Sequence, residues 1–135
     1  MTNIERASVA PPVRVLIVDD SSLVRLYYRK ALEGADFEVE QAINGIEALE
    51  KVLAQPFDLV IVDVNMPKMD GLSFIRALRR STPEVATLPA LIISTEAGPQ
   101  DVKDSREAGA NFYLVKPVSE ANLIRHVTVL TGVPR

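Results

Sequence analysis

Three aspartates, one lysine and one serine carry the chemistry this sequence offers. Asp19 and Asp20 stand side by side after the apolar run "VLIV", Asp63 follows "LVIV", Ser94 follows "ALII", and Lys116 follows "FYLV". Carboxylates with no His or Cys beside them are hard oxygen donors. They suit an ion such as Mg²⁺, which keeps several waters and bridges protein carboxylates to a phosphoryl group. A carboxylate flanked by such an ion and a lysine can attack phosphorus, because the cations neutralise charge on the transferred oxygens. Asp63 is the expected acceptor: it stands alone after its strand, whereas the neighbours Asp19 and Asp20 are better disposed to hold the metal. The Ser94 hydroxyl would then donate to a phosphoryl oxygen.

This chemistry requires distant segments to meet, and the apolar pattern says how. Strand-length β-branched runs occur at 13–18, 37–42, 57–62, 89–93 and 111–115. Segments of helical spacing lie between and after them, at 22–32 (with Leu23, Leu26 and Tyr27), 45–53, 72–78, 99–108 and 119–130. Asn44-Gly45, Gly71 and Pro99 mark helix starts, Ser21 or Ser22 can cap the first helix, and Gly109 ends the fourth. Strict alternation predicts an α/β fold, a five-stranded parallel sheet covered on both faces by five helices. In such a sheet ligands bind beyond the carboxyl ends of the strands, where the strand order reverses. All five reactive residues fall on that rim. Taken singly, each has a plainer reading as a turn former, a helix cap or a strand terminus. Their joint placement on one rim favours a site. Three acids there repel by about 4 kcal/mol per pair at 4 Å and an effective dielectric near 20, so a cation must share the pocket.

Length and composition bound the rest. The 135 residues fit one domain, 13–131, with a flexible polar lead-in at 1–12 and a short tail at 132–135. About twenty residues follow the fifth strand, room for one helix, so no attached output domain is expected. A formal charge of −3 argues against a broad nucleic-acid footprint. The absence of cysteine removes disulfides and thiolate chemistry. Neither a signal-peptide core nor a membrane-length apolar run is present, so a cytoplasmic protein is expected. His126, the single histidine, reads as a surface or boundary residue of the last helix, and Leu78, Arg79 and Arg80 as a solvated helix end.

The segments "VLIVDDS", "NGIEALE", "DLVIVDVNMPKMDG", "LPALIIST" and "GANFYLVKP" together resemble the receiver domains of two-component response regulators, most of all the single-domain CheY-type chemotaxis regulators. The resemblance covers residues 13 to about 131. It implies a flavodoxin-like three-layer α/β/α fold with strand order 2-1-3-4-5, and phosphorylation of Asp63 by a CheA-like histidine kinase or a histidine phosphotransfer protein. Mg²⁺, for which Mn²⁺ can substitute, would be held by Asp20, Asp63 and the backbone carbonyl of Asn65, with Asp19 assisting through metal-bound water. Lys116 would contact the phosphoryl group, and the Lys116-Pro117 bond would be cis. Ser94 would be the switching hydroxyl, Tyr113 the aromatic that turns inward on activation, and Asn65 and Glu96 the pair that tunes dephosphorylation. A downstream protein would read the face of residues 99–130. That surface is a departure from the pattern, because "PQDVKDSREAG" offers few apolar positions besides Val102 and Ala108.

Other functions compete. A phosphorelay intermediate would pass the group on to a histidine carrier. A flavodoxin-like electron carrier would use the same sheet order, yet "DDSS" places carboxylates where a flavin phosphate needs a neutral loop, and Trp is absent. An aspartyl phosphatase would need an acid two residues beyond Asp63, where Asn65 stands, so no enzyme turning over external substrates is expected.

Overall fold

The computed structural model describes residues 11–132; residues 1–10 and 133–135, and with them most of the two expected tails, lie outside the described residues. Chain order is β1 (Arg14–Val18), α1 (Ser22–Gly34), β2 (Glu38–Ala42), α2 (Gly45–Ala54), β3 (Leu59–Val62), α3 (Gly71–Arg79), α4 (Pro83–Ala86), β4 (Ala90–Ser94), α5 (Pro99–Ala108), β5 (Phe112–Val115) and α6 (Glu120–Thr131). The five strands form one sheet in the order β2-β1-β3-β4-β5, and every neighbouring pair is parallel. The expected alternation and strand order are therefore present, with a sixth helix added. That helix, α4, has four residues and buries none of them, so no apolar period could announce it. Its only local signals are Thr82 at the N-cap and Pro83 in the first turn.

Central strands β3 and β4 are buried along their whole length, as strands covered on both faces must be. Alternate residues feed two cores. Leu16, Val18, Val60, Val62, Ala90 and Ile92 meet α2, α3 and α5 through Ala48, Val52, Phe74, Ile75, Leu78 and Ala108. Val15, Ile17, Leu59, Ile61, Leu91 and Ile93 meet α1 and α6 through Tyr28, Ala31, Leu32, Leu123 and Val127.

Two local expectations are corrected. Leu23, Leu26 and Tyr27 are the exposed side of α1, at 77%, 45% and 43% accessibility, and the helix packs through Tyr28, Ala31 and Leu32 instead. Leu23, Leu26 and Tyr27 show helical spacing, but which stripe is covered is decided by the sheet and not by the helix. Leu78 and Arg79 are likewise no solvated helix end. Leu78 is fully buried, and the Arg79 guanidinium donates to the carbonyls of Gly109, Ala86 and Leu88 and to Asn111 Oδ1 at 2.6–3.0 Å. Only Arg80 of the three is exposed.

Helix ends follow local chemistry. Ser21 Oγ accepts from Val24 N, Asn44 Oδ1 from Glu47 N, and Asp70 Oδ1 from Ser73 N, each filling an unpaired amide of the first turn. Gly109 takes φ +113° at the end of α5, a conformation that costs other residues a Cβ clash. Gly71 is fixed by contact rather than by φ. A Cβ there would lie 2.2 Å from the Asp63 carbonyl oxygen and 2.9 Å from Val62 Cγ1, so α3 approaches the end of β3 only because this residue has no side chain.

We therefore expect Gly71→Ala to push the backbone of Asp63 away and to cost about 1–3 kcal/mol, the usual range for overpacking. Thermal unfolding should show a lower Tm; a variant as stable as wild type would contradict the close approach.

Candidate functional site

Val18 of β1 pairs with Val62 of β3, so the next residues, Asp19 and Asp63, emerge together at the carboxyl ends of neighbouring strands. β1 lies between β2 and β3, the point where the strand order reverses. The alternation that sends Val15 and Ile17, and Leu59 and Ile61, toward α1 and α6 gives Asp19 and Asp63 the same facing. Asp19 is buried, Asp63 is 9% exposed and Asp20 is open to solvent. Each of the three offers a carboxylate oxygen within 4.8 Å of the others.

Lys116, one residue beyond β5, closes the arrangement. Its Nζ lies 3.2 Å from Asp19 Oδ2 and 3.6 Å from Asp63 Oδ1, and its amide donates to the Ser94 carbonyl at 2.8 Å. The Lys116-Pro117 peptide is cis. Among the described residues Lys116 is the one cation ion-paired with this cluster, so three acids face a single lysine. Burial holds the Asp63 carboxyl above the usual carboxylate range, the Asp19 charge raises it further, and Lys116 opposes the shift. An oxygen-only donor set with uncompensated negative charge fits a hard divalent cation.

The remaining residues singled out from sequence form a second, connected group. Ser94 is fully buried, and its Oγ accepts from the Glu96 amide at 3.1 Å. Glu96 Oε1 accepts from Asn65 Nδ2 at 3.0 Å, and the Glu96 carbonyl accepts from the Tyr113 hydroxyl at 2.6 Å. Glu96 thus joins the loop after Asp63, the end of β4 and the middle of β5. Tyr113 is half-buried beside Val64, Leu72 and Ser105. His126 stays apart, at the expected boundary position, with its ring 5.0 Å from Phe112.

Sequence reasoning passed over three contributors. Arg25 donates to the Asp19 carbonyl at 2.7 Å and to Gln41 Oε1 at 3.0 Å, which steadies the acidic turn. The Tyr27 hydroxyl donates to the Val118 carbonyl at 3.0 Å, and so holds the segment that carries Lys116 against α1. Tyr28 packs in the same core as Ile17 and Ile61, which stand two residues before Asp19 and Asp63. Arg25 and Tyr28 fall within two turns of Asp20, and that proximity was the available signal.

The family model for the response regulator receiver domain matches residues 15–128. This chain belongs to that family. A gliding motility regulatory protein of Myxococcus xanthus is 42% identical over 113 residues, which are 84% of this chain and 14% of that protein. The transcriptional regulatory protein PrrA of Mycobacterium leprae is 39% identical over 117 residues, 87% of this chain and 49% of that protein. The chain thus spans half or less of the length of these curated relatives. The chemotaxis protein CheY4 of Vibrio cholerae superposes with a TM-score of 0.84 at 36% identity, covering 89% of this chain and 99% of that one. The receiver domain is thus a CheY-like member of the flavodoxin-type architecture. Receiver domains bind Mg²⁺ at an acidic pocket, and the three clustered aspartates form one here.

A carboxyl whose pKa is higher in the folded than in the unfolded chain costs nothing while protonated in both. Its cost grows as pH rises through the unfolded value and is complete above the folded one. Asp63→Asn should therefore raise Tm by a few degrees at neutral pH without divalent cations, and the gain should fade as pH drops into the carboxylate range. A lower Tm at neutral pH in thermal melts would contradict this.

Proposed function

We propose that this receiver is a phosphorylation-controlled switch in which Asp63 accepts a phosphoryl group from a partner histidine kinase or histidine phosphotransfer protein, and that phosphorylation-dependent protein binding carries the signal onward. The observation that carries this reading is the pairing of one buried, charge-strained carboxylate with Lys116 at the switch point of a receiver fold.

Asp20, Asp63 and the Asn65 carbonyl would hold Mg²⁺, or Mn²⁺ in its place, with Asp19 assisting through water. The ion supplies charge neutralisation for the phosphoryl oxygens. An Asp63 carboxylate oxygen attacks phosphorus and forms a new O–P bond. The P–N bond of a phosphohistidine, or the P–O bond of acetyl phosphate, breaks, and the leaving imidazole or acetate takes the electron pair. Acetate needs no proton to leave, so a general acid is dispensable in that case. Lys116, 3.6 Å from Asp63, has only to swing toward the incoming oxygens. Ser94 gives up its bond from the Glu96 amide as its hydroxyl turns to a phosphoryl oxygen, and the shift reaches Tyr113 through the Glu96 carbonyl. The face of residues 99–130 then presents a different surface to a downstream protein.

Asn65 and Glu96, bonded to each other, stand beside the path of a water attacking the acyl phosphate. This favours a short-lived signal, as a diffusible regulator of motility requires. The likeness to the Vibrio cholerae chemotaxis protein, with a TM-score of 0.84 at 36% identity, supports the same reading. The chain would act in the cytoplasm and catalyse only its own phosphorylation and hydrolysis. Among the described residues no helix is long and apolar enough to cross a membrane.

Incubation with acetyl phosphate and Mg²⁺ should give one labile phosphoryl adduct by intact mass on wild type and none on Asp63→Asn. An equal adduct on the variant would remove Asp63 from its role. In the same assay Glu96→Ala should lengthen the adduct's lifetime. A wild-type adduct that is already long-lived, and is transferred efficiently to a histidine carrier, would favour a phosphorelay intermediate over a chemotaxis regulator.

A further inference from the structure

Tyr28 is a tyrosine where the packing of α1 calls only for an apolar side chain. Its ring is 3% exposed and packs in the core between α1 and the sheet with Ile17, Ile93 and Val118. The hydroxyl makes no hydrogen bond to any described residue. Among the described residues no fully enclosed side-chain nitrogen or oxygen lacks a partner, so this hydroxyl must be reached from outside. The opening is a groove of about 310 Å³ that Tyr28 lines together with Leu23, Val24, Lys116, Pro117 and Val118.

The groove leads to the reactive acids. Lys116, one of its walls, touches both Asp19 and Asp63. Strand alternation turns those two carboxylates toward α1, on the same side of the sheet as Tyr28, whereas Ser94, in step with Ala90 and Ile92, faces the other core. The N-terminus of α1 is at the acidic rim, and helical side chains lean toward the N-terminus, so the Tyr28 ring reaches up toward the acids. Burial and then the charges of Asp19 and Asp63 hold the hydroxyl protonated beyond the usual tyrosine range, which keeps it a donor at every physiological pH.

We propose that Tyr28 is a phosphodonor-binding residue of this receiver, its hydroxyl donating a hydrogen bond to the phosphoryl group that enters beside Lys116 on its way to Asp63. The proposal rests on the assignment of Asp63 as acceptor. It divides the contacts between two faces: Ser94 meets the phosphoryl group from the β4–α5 side, and Tyr28 meets it from the α1 side.

The test uses the full chain with acetyl phosphate at saturating Mg²⁺, comparing wild type with Tyr28→Phe, which keeps the ring and its packing. The acetyl phosphate concentration giving half-maximal phosphorylation should rise roughly tenfold, the worth of one hydrogen bond to a charged group, with the maximal rate and Tm close to wild type. The Tyr28 ring ¹³Cζ resonance in labelled wild type, assigned by its loss in Tyr28→Phe, should shift when the adduct forms. A wild-type adduct with an unmoved resonance and an unchanged half-saturation in Tyr28→Phe would overturn the role of Tyr28 alone. No adduct on wild type would overturn the acceptor assignment, and this inference with it.

Discussion

Repulsion among carboxylates, fixed in place by sheet geometry, is the constraint on which the site depends. Neighbouring strands lie about 4.8 Å apart, and Asp19 and Asp63 each follow one member of a register pair, so the backbone itself sets their separation. The Asp63 amide is further tied to the Val18 carbonyl and the Asp19 amide to the Ala42 carbonyl, which leaves little freedom to relax apart. Lys116 meets both acids but supplies one charge against three. The residual imbalance is what a divalent cation would offset. Here stability is conceded for reactivity, in the way strained or charge-crowded sites commonly trade the two.

The same geometry explains how a local event can reach a distant surface. Alternation along β3 and β4 splits the reactive set, with Asp19, Asp63 and Lys116 facing α1 and Ser94 facing α5. A group bound to Asp63 therefore bridges two cores that otherwise touch only through the sheet. On the α5 side Glu96 is bonded to Ser94, Asn65 and Tyr113, so one residue gathers the loop after Asp63, the buried Ser94 hydroxyl and the β5 aromatic. At the opposite end of the sheet Arg79 fastens α3 to the Gly109–Asn111 turn and to the segment before β4.

Strand ends were legible because "LIV", "LVIV" and "ALII" are too short for helices and stop at charged or hydroxyl residues, and that alone places Asp19, Asp63 and Ser94 on one rim. Helix starts at Asn44-Gly45 and Gly71 and the stop at Gly109 were legible for the same reason, since caps are local chemistry. Features decided by tertiary contact were not. Tyr28 and not Tyr27 faces the sheet, α4 buries nothing, and Arg79 finds its four acceptors only after α3, the α4 turn and β5 have assembled. The bond between Asn65 and Glu96 joins loops 31 positions apart, and local pattern carries no trace of it.

The most direct measurement of the central claim is the Tm of the wild-type chain across a Mg²⁺ titration at constant ionic strength. If crowded carboxylates are the strain in this fold, Tm rises once Mg²⁺ passes Kd and then climbs with the logarithm of its concentration, a gain of about 2.7 kcal/mol at a hundredfold excess over Kd. A Tm that stays flat throughout would mean that the acids need no cation, and the account of the site would fail.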